Sequence, residues 1–480
     1  MRHSQNIMKC FTALFIGIIS LWSLLGLAAA DAGAQLPPAA DSVSGKPRII
    51  ERDFPTDRAD SFLLQAAVPL TDPDLDIILA CIVCPGEIDF DEDRHSDGMW
   101  EASGDGAAQP HSGPFAGHRE LPPGITGLPP GDECASSGFA GTLYENGINC
   151  RLVKVDGYPR AYIVYVPPRV QDPAPAVFMF HGSSGDGAQF YQISGWKEKA
   201  DEQGFVAVFP TGVKYCNVLD RPLDSCKWTT KWHSYQLIED EKFNFEIRPS
   251  GYPASAPYPA DDVGFANAML DDLLAPANGL NIAAHQVFVS GFSNGGSMAA
   301  RLAIEISERL AAAAYVAGGI IEVNDPANLP PAAVDHIPVF AAFGTADDGI
   351  MAQIGWDPRA GKLPLDQELL FAVEGFAEVY LTPHLNAFDH TYNPDTFVPY
   401  FSNQGSHATL VRWHTPQVGG AGHLFQLGVL EGLQHHWPRG CEHIDKNPNC
   451  FNAVDVFWPF FEEAANNFDG GSGSGAKPMK

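Results

Sequence analysis

The amino-acid sequence predicts an α/β fold in which helices cover both faces of a mostly parallel sheet. Short, fully apolar runs at 176–180, 287–290 and 337–343 have the composition of parallel strands that are buried on both faces. An amphipathic stretch at 261–274 and a helix-like stretch at 298–310 lie between them. Strands that alternate with helices in this way favour β-α-β connections and hence a parallel sheet.

The first 34 residues have the layout of a secretory signal. Arg2 and Lys9 precede an apolar run at 11–27, and two small-residue sites follow that run. The layout predicts export, with cleavage before Asp31 or Gln35. An uncleaved membrane anchor is the alternative, because the apolar run is long for the core of a signal peptide.

Residues 35–133 form a predicted N-terminal extension that is rich in Pro, Gly and Asp and has little periodicity. Only the stretch 76–84 resembles a strand. Acidic residues at 89–93 hint at a calcium loop, but Arg94 stands where such a loop needs glycine. A solvated acidic stretch is the preferred interpretation, and no metal site is predicted.

One large domain is predicted over 134–468, followed by a flexible tail at 469–480 that is rich in glycine and serine. The predicted elements of the domain, in chain order, are strands at 160–166, 176–180 and 204–210, a helix at 261–274, a strand at 287–290, a helix at 298–310, strands at 311–317, 337–343 and 409–413, and a helix at 453–466. Two aromatic-rich segments, 228–260 and 349–405, interrupt this pattern. Loops at the carboxyl ends of parallel strands form ligand crevices, so both segments are candidates for a lid or cleft wall; surface embellishment is the alternative.

Eight cysteines remain once Cys10 leaves with the predicted signal. An exported protein favours disulfides, and the spacing suggests bonds between neighbours in the sequence. The predicted pairs are Cys81–Cys84, Cys134–Cys150, Cys216–Cys226 and Cys441–Cys450. A zinc or redox site at residues 81–84 is the competing interpretation of the first pair.

The composition is strongly acidic. Lys and Arg number 29 and Asp and Glu number 58, which gives a formal net charge of −29. Such a surface repels nucleic acids and anionic membranes, so neither is predicted as a partner. The acidity suits either a saline habitat or an ordinary acidic exported protein.

The segment 287–298 carries the strongest motif. An apolar strand runs into Gly291-Phe-Ser-Asn-Gly295, and a helical pattern begins directly afterwards. The sequence G-x-S-x-G between a strand and a helix is a nucleophile elbow, in which small residues permit the sharp turn that exposes the Ser293 hydroxyl. A glycine-rich turn with an idle serine is the structural alternative.

A serine hydroxyl needs a base, and the base needs an acid that orients it. Downstream of an elbow the acid precedes the histidine, and Asp347 follows the predicted strand 337–343, with Asp348 as the competitor. The best candidates for the base are His435 and His436. Six further histidines also lie downstream: His384, His390, His407, His414, His423 and His443.

An anionic tetrahedral intermediate needs two amide donors. One predicted donor is the N–H of Asn294, directly after the nucleophile. The other is assigned to Ser183, within one residue, because His181-Gly-Ser-Ser-Gly185 follows the predicted strand 176–180.

Residues 160–460 resemble the secreted polyhydroxybutyrate depolymerases and the related feruloyl and acetylxylan esterases, which have the α/β-hydrolase fold. The matching motifs, in order, are His181-Gly182, Cys216 and Cys226 followed by Trp228, Asp262-Val-Gly-Phe265, the elbow at 287–298, Gly344-Thr-Ala-Asp347, His435-His-Trp-Pro438 and Val456-Phe-Trp-Pro-Phe-Phe461. The resemblance implies that Asp347 is the acid and His435 the base. It also suggests His181, Trp228 and Trp437 as substrate contacts.

The sequence and the resemblance together predict an exported serine carboxylic-ester hydrolase that acts through an acyl-enzyme without metal or cofactor. The predicted partner is a polymeric or small ester, with a polyester such as polyhydroxybutyrate as the leading substrate. Feruloyl or acetyl esters on plant polysaccharide, or another aromatic polyester, are the alternatives. A non-catalytic exported binding protein of the same fold is the competing class, and the oligomeric state is left open.

Overall fold

The computed structural model describes residues 127–129, 133–219, 225–320, 330–353, 387, 400–403, 408–414 and 424–469. All of them belong to one compact unit, Asp91–Lys480. The predicted signal, most of the N-terminal extension, the Cys81–Cys84 pair and the Gly/Ser-rich tail lie outside the described residues. The boundaries of the predicted domain at 134 and 468 stay predictions.

Thirteen strands occur within the described ranges. They are β1 Ser136–Phe139, β2 Gly147–Val155, β3 Tyr158–Val166, β4 Ala174–Phe180, β5 Val206–Pro210, β6 Val213–Asn217, β7 Lys227–Lys231, β8 Ile282–Phe292, β9 Ala312–Val316, β10 Val339–Gly344, β11 Tyr400–Asn403, β12 Ala408–His414 and β13 Leu424–Leu430. Eleven of these strands form one sheet, in the order β1-β2-β3-β5-β4-β8-β9-β10-β13-β12-β11. β6 and β7 pair separately as an antiparallel ribbon.

The six central strands, from β5 to β13 in that order, are all parallel. Antiparallel strands flank this centre: β3 pairs antiparallel with β5, and β12 pairs antiparallel with β13. Because parallel strands share a direction, the carboxyl ends of β4, β8, β10 and β13 lie along one edge of the sheet. This edge, called the site edge below, is where ligands bind in folds of this class.

Six α-helices accompany the sheet in the described part of the chain. They are α1 Gly187–Ile193, α2 Trp196–Gln203, α3 Asp262–Leu274, α4 Asn294–Glu305, α5 Asp348–Gln353 and α6 Ala453–Asp469. Every residue of β4, β5, β9 and β10 is buried, so both faces of the central sheet are covered. The predicted α/β-hydrolase architecture, a mostly parallel sheet between helices, is confirmed.

Side-chain size explains how closely the helices pack on the sheet. β9 presents only small side chains at Ala312–Ala314, against which α4 and α6 can pack closely. The helix α6 brings large rings to the same layer. Trp458 stacks on Phe205 with ring centroids 4.4 Å apart, and Phe461 stacks on Phe288 at 4.5 Å. Stacked aromatic pairs of this kind add to the stability that buried area already provides.

The predicted strands and helices of the domain occur, with shifted bounds. The helix after the elbow ends at Glu305, not at 310, and a short 3-10 turn at Ser307–Arg309 follows it. The sequence patterns did not reveal the helices α1, α2 and α5. They also missed the strands β1, β2, β11 and β13 and the ribbon β6–β7, of which β11 lies in the segment 349–405 that was predicted to be loop-like. These strands are short or lie where polar and apolar residues mix, so they carry no clear period.

Three of the predicted disulfides are confirmed: Cys134–Cys150, Cys216–Cys226 and Cys441–Cys450. The second bond joins β6 to the segment that leads into β7. Over the ranges given above, no helix combines the length and apolar character needed to cross a membrane. Within the same ranges, no three His, Cys, Asp or Glu side chains gather as a metal site would require.

Candidate active site

The elbow places Ser293 at the end of β8 in a strained backbone conformation. Its φ is 52° and its ψ is −124°, in a region that residues with a Cβ rarely adopt. The N–H of Ser293 donates to the Val316 carbonyl at 2.9 Å, which ties the turn to β9. Gly295 is essential to this turn, since a Cβ there would stand 2.2 Å from the Phe180 carbonyl oxygen. The neighbouring chain therefore permits only glycine, and the turn presents the Ser293 hydroxyl at the site edge.

A continuous chain of hydrogen bonds joins Ser293, His435 and Asp347. The His435 Nε2 lies 2.9 Å from Ser293 Oγ, and its Nδ1 lies 2.8 Å from Asp347 Oδ2. Asp347 is fully buried, and its Oδ1 accepts a hydrogen bond from the Ile350 N–H at 3.1 Å. With the Asp347 carboxyl on its Nδ1 side, His435 turns Nε2 toward Ser293 Oγ, the position from which a base can take the serine proton.

The structure separates the candidates that the sequence left open. Asp348 is exposed at the start of α5, whereas Asp347 is buried and hydrogen-bonded to His435. His436 is buried beside His443, with ring centroids 4.8 Å apart. Burial lowers the pKa of His436 to about 4, so this ring is neutral near pH 7. Asp347 and His435 are thus the pair that the fold brings to Ser293.

The outcome for the other downstream histidines is limited to the described residues. His384, His390, His407 and His423 lie outside them, His414 belongs to the flanking strand β12, and the His443 ring packs against His436.

The loop that follows β4 lies against the elbow. A Cβ built on Gly182 would stand 3.4 Å from the Ser293 Cβ. The Ser184 N–H donates to the Thr230 carbonyl at 2.8 Å, and the Gly185 N–H donates to the Gly182 carbonyl at 3.1 Å. In the part of the chain that is described, the amides of Ser183 and Asn294 have no protein acceptor. The loop therefore excludes Ser184 as the second donor, because its N–H is already bonded, and leaves the N–H groups of Ser183 and of Gly182 before it without a protein acceptor. The assignment to Ser183 stays a prediction.

His181 is not a substrate contact, contrary to the prediction. The side chain is fully buried beneath the loop, where its Nε2 accepts from the Gly212 N–H at 2.9 Å. The proton must then reside on Nδ1, which donates to the Gly182 carbonyl at 2.7 Å. Burial lowers the pKa of His181 to about 4, which keeps the ring in this neutral form. Its contacts give it a structural role, to hold the loop.

Trp437 also differs from its predicted role. It is 2% exposed, and its indole N–H donates to the Ser194 carbonyl at 2.9 Å. Its ring packs edge-on against Phe292 and Phe457. Trp437 thus anchors the segment that carries His435 to the core. Trp228, in contrast, is 41% exposed on β7, opposite Cys216. Of the three predicted substrate contacts, only Trp228 presents a ring to solvent.

Sequence patterns missed Trp232, although it lies at the centre of the site's support. Its indole N–H donates to the His181 carbonyl at 2.8 Å, and its ring packs edge-on against Phe180. The Asn294 side chain bonds to both backbone groups of Trp232. The only signal was the position of Trp232 in an aromatic-rich segment, since hydrogen bonds between distant residues leave no period in the sequence.

Much of the segment 228–260 packs as a small core of its own. Tyr215 stacks on Tyr258 at 5.1 Å, and Tyr252 meets Tyr258 edge-on at the same distance. The Arg248 guanidinium lies over the Tyr258 ring and donates to the Pro253 and Ala256 carbonyls. These contacts make this part of the segment an ordered, packed unit, and its role as a lid or cleft wall stays a prediction.

The arrangement as a whole suits acyl transfer. It offers a hydroxyl nucleophile, an imidazole in contact with it and a buried carboxylate behind the imidazole. The elbow and the loop that packs against it also carry amides that have no protein acceptor among the described residues. These are the parts that addition of a serine to a carbonyl requires.

Two curated proteins are similar in sequence. The chain is 29% identical over 222 residues to "Putative esterase NocK" of Nocardia uniformis subsp. tsuyamanensis, covering 45% of this chain and 54% of that protein. It is 24% identical over 257 residues to the bifunctional acetylxylan esterase/xylanase XynS20E of Neocallimastix patriciarum, covering 54% of this chain and 28% of that protein. The chain thus spans about half of the first relative and less of the second. No family model matches the sequence.

Solved structures give only a distant likeness. An acetyl xylan esterase from Aspergillus awamori has a TM-score of 0.38 at 14% identity, covering 65% of this chain and 99% of that one. A ferulic acid esterase has a TM-score of 0.34 at 13% identity, covering 67% and 99%. The fold assignment rests on the strand order and the elbow, not on these values.

Proposed function

We propose that this protein is a serine carboxylic-ester hydrolase. The observation that carries the proposal is the hydrogen-bonded chain Ser293–His435–Asp347 at the site edge. The fold alone does not indicate a function, but a nucleophile, a base and an acid in contact support a hydrolytic one. Both curated relatives are named as esterases, which supports an ester as the bond that is cleaved.

In the proposed reaction, Ser293 Oγ attacks the ester carbonyl while His435 Nε2 takes its proton. The Asp347 carboxylate stabilises the imidazolium that forms. The amides of Asn294 and Ser183 stabilise the negative oxygen of the tetrahedral intermediate. His435 then protonates the departing alcohol, leaving an acyl-enzyme. Water attacks this acyl-enzyme with His435 again as base, which releases the acid and restores Ser293.

The substrate class is a finer proposal, with two candidates. The resemblance to depolymerases favours a polyester such as polyhydroxybutyrate. The Neocallimastix relative, which is named as an acetylxylan esterase/xylanase, favours an acetyl ester on xylan. Trp228, exposed on β7, is the proposed substrate contact in either case, because a flat apolar ring can pack on a sugar, an aryl group or a polymer chain.

Export is also proposed. Three disulfides in the described part of the chain favour an oxidising compartment, in keeping with the signal predicted at residues 1–34. Sequencing the N-terminus of the protein recovered from culture medium tests this. Retention inside the cell with residues 1–34 attached would contradict it.

The test of function is product release from polyhydroxybutyrate film, acetylated xylan, methyl ferulate and an aromatic polyester. Wild type is compared with Ser293→Ala and with Ser290→Ala, a matched change at a buried hydroxyl of the same strand that has no hydrogen-bond partner. We expect release by wild type and Ser290→Ala, and a loss of at least about 10³-fold in Ser293→Ala.

The substrates that respond decide the class. Release of hydroxybutyrate products supports a depolymerase, and release of acetate or ferulate alone supports a plant-polymer esterase. Folded wild-type protein that releases nothing from any substrate would refute the proposal and favour the non-catalytic binding protein.

A further inference from the structure

The Asn294 side chain makes two hydrogen bonds to the backbone of one distant residue. Its Oδ1 accepts from the Trp232 N–H at 2.7 Å, and its Nδ2 donates to the Trp232 carbonyl at 3.2 Å. A primary amide that pairs with both groups of a residue fixes the separation and the orientation of the two segments. Asn294 is also the residue whose own N–H is free beside Ser293. Asn294 thus has two roles: its backbone N–H belongs to the elbow, and its side chain hydrogen-bonds the residue that directly follows β7.

The Trp232 indole continues this connection to the opposite loop. Its N–H donates to the His181 carbonyl at 2.8 Å, while the ring is fully buried against Phe180 and His181. The His181 carbonyl and the Gly182 N–H belong to one planar trans peptide, so they point in opposite directions. An indole that holds the carbonyl therefore also sets the direction of the Gly182 N–H.

The next peptide unit is held in the same manner. The Gly182 carbonyl accepts from His181 Nδ1 at 2.7 Å and from the Gly185 N–H at 3.1 Å. The opposite end of that unit is the Ser183 N–H, which faces away from those donors. The direction of the free Ser183 amide is consequently determined by groups that are themselves tied to Trp232 and to His181.

The backbone around Trp232 is anchored to the scaffold from a third side. The His233 N–H donates to Asp262 Oδ2 at 2.6 Å, and the His233 carbonyl accepts from Arg301. Asp262 is itself paired with buried Arg160 at 2.6 Å. The segment that links the two amides is therefore held by helices α3 and α4.

We propose that the Asn294 side chain and the Trp232 indole are positioning residues that hold the two amides of the oxyanion site at a fixed separation and direction. The inference rests on the proposed function, since it needs an oxyanion to act on. The chain of contacts runs from the Asn294 side chain through Trp232 to the His181 carbonyl. Donors that are fixed in advance stabilise charge that develops in the transition state without reorganising, so the effect belongs in kcat and not in substrate binding.

The first test replaces Trp232 with Phe, which keeps an aromatic ring and removes the N–H. The matched control is Trp196→Phe, at a tryptophan that is equally buried and whose indole N–H has no partner. Kinetics are measured on p-nitrophenyl acetate, with phenylboronic acid as a tetrahedral analogue. Outright removal of an oxyanion donor lowers kcat by about 10²–10³-fold. We expect a smaller decrease in kcat, ~10-fold, when the donor is kept but is no longer held in position.

The expected pattern separates positioning from a general structural role. In Trp232→Phe, kcat falls and phenylboronic acid binds more weakly by a similar factor, while KM stays within about twofold. The midpoint of the acid limb of the pH profile is unchanged, because the contacts of His435 are not altered. Trp196→Phe keeps wild-type kinetics. A rise in KM alone, a shifted pH midpoint or an unchanged kcat in folded Trp232→Phe would overturn the inference.

The second test asks whether the two residues act as one unit. Asn294→Ala removes the side-chain amide and keeps the backbone N–H, so kcat should fall by a factor similar to that of Trp232→Phe. Because both changes break one chain of contacts, the double variant should lose little more than the larger single effect. Losses that multiply would overturn the inference. An inactive wild type would overturn the proposed function and this inference together, whereas an active wild type with unimpaired variants overturns this inference alone.

Discussion

His435 and His436 are neighbours with the same chemistry and opposite environments. His435 touches Ser293 and Asp347, whereas His436 is buried next to His443. The bend at this point turns the two side chains to different surroundings, so the motif presents only His435 to the nucleophile. At this scale the chemistry is decided by which side chain the backbone turns toward the site edge.

Replacing each histidine with alanine should give very different kinetics. His435→Ala should lose at least about 10³-fold in kcat, because the base disappears. His436→Ala should keep kcat within about fivefold of wild type, because His436 does not contact the reacting groups. It should lower thermal stability, because removal of the buried ring leaves a cavity. Ester hydrolysis and thermal unfolding measure the two effects. Activity that survives in His435→Ala but not in His436→Ala would transfer the role to His436.

Gly295 offers a second test at the scale of single residues. In Gly295→Ala the new methyl would stand 2.2 Å and 2.3 Å from the Phe180 and His181 carbonyl oxygens, which are backbone atoms that cannot move aside easily. We expect a loss of about 3 kcal/mol in unfolding free energy, at the upper end for overpacking, together with lost activity. Gly349→Ala is the control, since its methyl would meet only Asp347 Oδ1, at 3.5 Å. Equal stability of the two variants in denaturant unfolding would contradict the crowded elbow.

At the scale of elements, a buried ion pair joins α3 to β3 and to the segment after β7. Arg160 and Asp262 are both almost fully buried and 2.6 Å apart, and Asp262 also accepts the His233 N–H. A buried pair of this kind does not by itself add much stability, but loss of one partner leaves an uncompensated charge. The packing of α3 against β3 therefore depends on the Asp262 carboxylate.

Asp262→Ala should lower the unfolding free energy by about 3–5 kcal/mol, since it leaves the buried Arg160 guanidinium without a counter-charge and the His233 N–H without an acceptor. The control is Asp271→Ala on the same helix. Asp271 pairs with Arg309 at 2.7 Å but is 73% exposed, so its loss should cost less than about 1 kcal/mol. Urea unfolding of both variants provides the comparison. If Asp262→Ala and Asp271→Ala lost similar amounts of unfolding free energy, burial would not determine the energetic contribution of these ion pairs.

At the scale of the whole molecule, two buried neutral histidines couple stability to pH. Burial lowers the pKa of His181 and of His436 to about 4 in the folded protein, against an ordinary value of 6.5. Between these values the unfolded chain binds protons that the folded chain does not. The contribution of these two histidines to the unfolding free energy is therefore fully present above about pH 6.5 and is lost as the pH falls toward 4.

We expect the unfolding free energy to decrease from pH 7 to pH 4, by an amount on the order of several kcal/mol for the two histidines together. Thermal unfolding at half-unit pH steps measures this. Carboxylates also take up protons in acid, so the contribution of one histidine is isolated with His436→Gln, which should show a smaller decrease over the same pH window. A wild type whose stability is constant from pH 7 to pH 5 would contradict the prediction.

Most of the fold could be predicted because its signals are local. Apolar runs such as 176–180 and 337–343 indicate buried strands, and G-x-S-x-G between a strand and a helix indicates the elbow at Ser293. The disulfides Cys134–Cys150, Cys216–Cys226 and Cys441–Cys450 join cysteines 16 or fewer residues apart. Short separations of this kind make neighbouring pairs the natural hypothesis.

The sequence by itself determined most of the central strands, the elbow and the residue types that a serine nucleophile requires, because each depends on periodicity, glycine freedom or short spacing. Only the tertiary structure decided which histidine meets Ser293, since that contact joins residues 142 apart along the chain. It also decided that the His181 and Trp437 side chains are buried and that Trp232 bonds to both the Asn294 side chain and the His181 carbonyl. Burial and hydrogen bonds between distant segments arise when the parallel strands align their carboxyl ends, and no local pattern encodes that alignment.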